Sequence, residues 1–148
     1  WYVDAGGAWG VGSDSNVRIV LAEELRTLEY SQRLRERQRN VMAGAGGSCG
    51  ESLYRDALAG GARALARDSG AIEPGRFADL VAIDGSDVAF HGASEADRLD
   101  RWIFAADDRV VTDVWSAGRH VVAGGRHRAR ERVERRYRES TGRLFEQI

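Results

Sequence analysis

The chain changes character at Ala71, and that break constrains its architecture more than any other feature. Upstream, two long stretches carry apolar residues at helical spacing. Downstream, short runs rich in β-forming residues alternate with turns. The first stretch predicts a helix from about Leu21 to Val41, with Leu21, Leu25, Leu28 and Leu34 as a partial apolar stripe. Glu23, Glu24, Glu29 and Glu36 alternate with Arg26, Arg33, Arg35, Arg37 and Arg39, acids mostly first and arginines later, which complements the helix dipole. The glycine-rich run Ala43-Gly44-Ala45-Gly46-Gly47 predicts a loop. Ser48 and Glu51 have capping-box spacing, so a second helix is expected from there to about Arg67, with Leu53, Ala57, Ala64 and Leu65 inward. Gly60-Gly61 within it implies close packing against a neighbour, and Gly70 suits a C-terminal cap.

The second half reads differently. Glu73-Pro74-Gly75-Arg76 is a turn, since proline presets its first central position and glycine accepts positive φ at the next. A strand over Phe77–Asp84, a polar loop from Gly85 to Asp97 and a short helix over Leu99–Ala105 follow. Val110–Ser116 and His120–Ala123 form a hairpin about Ala117-Gly118-Arg119. Gly124-Gly125 closes it, and Arg128 to Gln147 is a charged helix. Before all of these, Ala8–Gly12 is expected to be a short strand whose Gly10 and Gly12 permit close backbone approach.

Composition narrows the functional classes. In 148 residues, 43% are hydrophobic and 30% charged, enough for a core and too apolar for global disorder. The net charge of -1 gives no bulk attraction to nucleic acid or an anionic membrane. No run approaches the roughly 20 apolar residues of a membrane span. The single cysteine, Cys49, excludes an internal disulfide and a CxxC zinc site, and fits a reducing compartment. All 22 basic residues are arginine, so lysine chemistry is absent.

One carboxylate stands out. Asp14 lies where the strand Ala8–Gly12 should give way to a loop, the position at which α/β barrels place catalytic groups. There it could bind a metal or take a proton from water; equally, it could cap a turn or the following helix. A dinucleotide reading of Gly10 and Gly12 fails, because the third glycine is replaced by Ser15. His91, His120 and His127 lack the spacing of a local zinc pair and read as surface residues. Cys49 reads as a small buried residue, and the arginines from Arg126 to Arg138, interrupted by Glu131 and Glu134, as a solvated helix face. Trp102, Phe104 and Trp115 read as core or interface.

Two segments carry a family resemblance. Gly61-Ala62-Arg63-Ala64-Leu65, with Gly70 through Asp84, resembles the C-terminal signature of the amidohydrolase superfamily. Trp9-Gly10-Val11-Gly12-Ser13-Asp14-Ser15 resembles its barrel strand eight, with the metal-site aspartate at Asp14. Glu23-Glu24-Leu25-Arg26, Leu28-Glu29-Tyr30, Gln32 through Arg35, Arg39-Asn40, Arg101 through Ala105, Asp113-Val114-Trp115 and Ala117 through Val122 resemble the formimidoylglutamate deiminase branch. Asn16 departs from it, since some members have histidine there.

The resemblance implies an α/β chain that forms the C-terminal end of a metal-dependent (β/α)8 barrel, strand eight with its following helices, plus part of a small β-sandwich. Residues 1–70 would be the last barrel portion, 71–127 the sandwich segment and 128–148 a C-terminal helix. It further implies a cytoplasmic, homodimeric enzyme acting on a small molecule, with neither nucleic acid nor membrane as partner. That enzyme would use one zinc ion to hydrolyse N-formimino-L-glutamate to N-formyl-L-glutamate and ammonia, with Asp14 as both metal ligand and proton carrier. The other ligands, histidines in this family, would lie before Trp1. A (β/α)8 barrel takes about 250 residues, so the chain is expected to be a C-terminal third that is inactive when expressed alone. Another deaminase branch of the superfamily, or a non-catalytic α+β interaction module, remains the alternative.

Overall fold

A computed structural model describes residues 2–3, 5–44 and 47–146. Trp1, the loop residues Ala45 and Gly46, and Gln147 at the expected end of the last helix lie outside the described residues. Helix α1 spans Leu21–Glu36, earlier in its stop than the sequence suggested, because Arg37 turns into the left-handed region at φ 54°. Helix α2 spans Cys49–Ala64. Ser48 caps it as expected, its hydroxyl accepting the Glu51 amide at 2.9 Å. Glu51 does not complete the box; its carboxylate pairs with Arg55 one turn on, at 2.7 Å.

The sheet comprises β1 Leu80–Ile83, β2 Val111–Ser116, β3 Arg119–Ala123 and β4 Arg126–His127, antiparallel in sequence order. Helix α3, Arg98–Phe104, lies between β1 and β2, and α4, Arg130–Phe145, follows β4. The turns at Ala117-Gly118 and Gly124-Gly125 each hold two successive positive φ angles, the geometry that matches two-residue hairpins to strand twist. The second hairpin, and hence β4, was not anticipated from sequence.

Two expected strands are corrected. Residues 8–13 have no regular secondary structure, since a strand needs a hydrogen-bonded neighbour and none is provided among the described residues. The strand expected from Phe77 starts only at Leu80. Its first residues are engaged elsewhere: the Phe77 amide donates to the Asp68 carbonyl at 2.7 Å, and the Ala78 carbonyl accepts from Gly118 at 2.9 Å.

The core joins all three inner helices and the start of the sheet. Ala22 and Leu25 of α1, Cys49, Leu53 and Ala57 of α2, Phe90, Trp102 and Ile103 around α3, and Val110 before β2 form one buried cluster. Leu34, Ala64 and Leu65, expected inward, are exposed. The segment before α1 packs onto this core through Trp9 and Val11. Its fit depends on glycine: a Cβ at Gly60 would collide with the Trp9 carbonyl, and one at Gly10 would lie 3.1 Å from the Gly61 nitrogen. The close approach expected of the two glycine pairs is met at Gly10 and Gly60, in one contact between residues 9–10 and α2, whereas a Cβ at Gly12 or Gly61 would meet nothing within 4 Å. No helix among the described residues is long and apolar enough to cross a membrane.

Candidate functional site

Asp14 occupies a turn between the packed segment at residues 9–11 and helix α1. The turn is closed by the Asn16 amide donating to the Ser13 carbonyl at 2.7 Å. Asp14 itself adopts φ 42°, a left-handed conformation that aspartate tolerates better than most residues. Its side chain is exposed, and it takes part in no hydrogen bond or ion pair with a described residue. The capping alternative is therefore not what the fold does with it: the residue preceding α1 is Val20, with no side-chain cap, and Asp108 lies against the Leu21 and Ala22 amides instead. Burial pushes the Asp108 carboxyl up despite those amides.

A free carboxylate can take a proton from water or contribute one ligand to a metal. It cannot hold zinc alone, and among the described residues no three His, Cys, Asp or Glu side chains come together as a metal site. Zinc therefore does not fit these residues taken by themselves. The histidines go elsewhere. His120 Nε2 lies 2.8 Å from Asp113 Oδ1, and its ring stacks on Trp115 with centroids 4.6 Å apart. His127 Nδ1 accepts the Ala129 amide at 3.1 Å, and His91 is exposed. The contact with His120 holds the Asp113 carboxyl below its ordinary range.

The densest polar cluster was missed in the sequence. Glu29 is fully buried. Its carboxylate accepts from Arg33 Nε at 2.6 Å, the Val41 amide at 3.1 Å and the Met42 amide at 2.9 Å. Burial alone would raise its pKa, but these donors, with the Cys49 thiol, outweigh it and leave the carboxyl low. Arg33 lies over the Tyr30 and Phe104 rings at 5.3 and 5.2 Å. Cys49 is buried as expected; desolvation, followed by the Glu29 charge, pushes its thiol up to about 12, so it is no nucleophile near neutral pH. The signal was legible: Ala22, Leu25 and Glu29 fall at helical spacing on the buried face of α1.

A second latch ties helices to sheet. Asp79 receives two bonds from Arg67, at 2.8 and 3.0 Å, and the Ala117 amide at 2.7 Å. Arg67 in turn stacks over Phe77 at 4.3 Å. Within the Phe77-Ala78-Asp79-Leu80 motif, then, aspartate and phenylalanine serve to join the end of α2 to the β2–β3 turn.

Comparison with known proteins adds what the geometry leaves open. Residues 1–121 match the model of the Amidohydrolase family. Over 146 residues, 98% of the chain, it is 45% identical to a formimidoylglutamate deiminase of Pseudomonas aeruginosa, of which it covers 32%. A crystal structure of an amidohydrolase from Brucella melitensis superposes with a TM-score of 0.88 at 43% identity, over 97% of this chain and 32% of that one. An adenosine deaminase from Xanthomonas campestris with bound zinc gives 0.63 at 30% identity, over 78% and 25%. The chain thus spans about a third of the length of the curated relative it matches. Family and neighbours imply a TIM-barrel-type fold for such proteins. With the family model covering most of its length, this chain belongs to the amidohydrolase family.

Proposed function

We propose that the chain is the C-terminal third of a zinc-dependent hydrolase that converts N-formimino-L-glutamate and water into N-formyl-L-glutamate and ammonia, a step of histidine degradation. The observation that carries this reading is the 45% identity to a formimidoylglutamate deiminase, sustained over 98% of the chain. In this reading residues 1–70 close a barrel, with residues 8–12 as its eighth strand. Residues 71–127 belong to a β-sandwich, and 128–148 add a helix. The whole protein would be a cytoplasmic homodimer.

Hydrolysis of a C=N bond requires water to be deprotonated as it attacks, and ammonia to leave protonated. Asp14 is assigned that proton traffic on its resemblance to the strand-eight aspartate of the family; being exposed and without a partner among the described residues, it is open to it. In this reading it is also one ligand of the zinc ion; among the described residues no group of further ligands gathers beside it.

The test is ammonia release. The natural gene product carrying this chain is expected to release ammonia from N-formimino-L-glutamate and not from adenosine. The 148 residues expressed alone are expected to be inactive. Preference for adenosine would move the protein to another deaminase branch, and turnover by the isolated chain would overturn the assignment of missing ligands.

A further inference from the structure

We propose that Asn16 is a positioning residue whose carboxamide ties the Asp14 turn to the first turn of α1. The proposal rests on the role given to Asp14 above. Asp14 has no bond of its own to a described residue, so the turn's backbone sets where its carboxylate points. Packing adds little there: Asp14, Ser15 and Asn16 are exposed, and the Val17 and Ile19 that follow are 98% and 79% exposed. The turn is held by polar contacts. The Asn16 amide closes the turn on Ser13 at 2.7 Å, and Asn16 Nδ2 donates to Glu24 Oε1 at 2.6 Å.

Glu24 is a firm anchor, half-buried and fixed in α1 by its own amide on the Val20 carbonyl at 3.1 Å. A carboxylate acceptor makes the bond charge-assisted, stronger than one between neutral groups. A second side-chain tether between this region and α1, Arg18 to Glu23 at 3.4 Å, is longer and lies four residues from Asp14. Asn16 therefore ties the turn to the helix two residues from Asp14. Small displacements of a reacting group have large effects on rate, so the tether acts on turnover rather than on substrate affinity.

The experiment measures kcat and KM for N-formimino-L-glutamate in the natural gene product, comparing Asn16→Ala, Glu24→Ala, their double variant and Asn16→His, which keeps an N–H donor. Each alanine variant is expected to lower kcat about tenfold with KM within about twofold. The double variant should fall no further than the worse single one, because both remove the same bond. Asn16→His should recover most of the rate. Multiplying losses, or a rise in KM with kcat intact, would overturn the proposal, the latter by making Asn16 a substrate contact. If the parent protein shows no deiminase activity, it is the function that fails. The tether is then judged by exchange of the Asn16 amide, which closes the turn on Ser13 and which Glu24→Ala must speed about tenfold; unchanged exchange refutes it.

Discussion

Glu29 and Asp14 are acids of similar intrinsic strength placed in opposite surroundings. Glu29 is fully buried and accepts from Arg33, Val41 and Met42. Asp14 is exposed, in a left-handed turn, with no bond to a described residue. The hydrogen bonds around Glu29 hold the α1–α2 connection and α1 itself. They engage both oxygens of that carboxylate and, together with the Cys49 thiol, hold its pKa below the ordinary value. The turn around Asp14 does the reverse, fixing backbone while leaving the carboxylate open. The difference separates a carboxylate engaged in holding the fold from one left open to solvent; Asp56, Glu95 and Glu139 are exposed as well, so it is the place of Asp14 after the glycines and its family resemblance that single it out.

The contrast is broken most severely at Asp14. Asp14→Asn, in the natural gene product, is expected to lower kcat about 10³-fold, the middle of the range for a positioned proton acceptor, while urea unfolding is unchanged. A large loss of stability with modest loss of rate would give Asp14 the structural role instead. The converse holds at Glu29. Glu29→Ala leaves Arg33 and two amides without their acceptor, and is expected to cost about 3 kcal/mol in unfolding by circular dichroism. The sign of its pH dependence follows from a lowered folded pKa. The contribution is present above the unfolded carboxyl's value and lost as pH falls through the folded one. Retained stability in Glu29→Ala would mean that the cluster is incidental.

A smaller effect tests how the Asp14 segment is seated. Gly60→Ala places a methyl against the Trp9 carbonyl, a backbone atom that cannot swing aside, and should destabilise by about 2 kcal/mol. Gly61→Ala meets nothing within 4 Å and gains helix propensity, so it should be neutral or stabilising by up to about 1 kcal/mol. Equal effects at the two positions would show that α2 does not receive residues 9–10 as described.

Much of this was legible in the sequence because it depends on local rules. Ser48 caps, Gly75 turns at φ 90°, and Ala117-Gly118 folds a hairpin, each decided within four residues. What failed depended on partners distant in sequence. Residues 8–12 have β-like spacing, but a strand is defined by its neighbours. Phe77 and Asp79 look like strand residues and are drawn away by Asp68, Arg67 and Ala117. Glu29 was misread because its charge outweighed its position on the apolar face. Asp14 was found by resemblance and by its place after the glycines; its lack of bonding partners could come only from coordinates.

The mildest test concerns the second carboxylate that the fold keeps occupied. Asp79 is held down to about 2, first by Arg67 and then by the Ala117 amide. A depressed folded pKa means that its contribution is intact above the ordinary aspartate value and fades only as pH falls from about 4 towards 2. Ala117 reports the bond directly, because its amide donates to Asp79 Oδ1 at 2.7 Å. Its exchange protection should stay constant from neutral pH to about 4 and then fall. In Asp79→Asn, a carboxamide oxygen still accepts but carries no charge for Arg67, so protection should be lower throughout and flat across that window. If the asparagine variant titrates as the parent does, some other group governs the turn, and the Arg67–Asp79 latch is not what joins α2 to the sheet. A flat parent profile would say the same of the carboxylate, since a bond that does not weaken on protonation was never held by its charge.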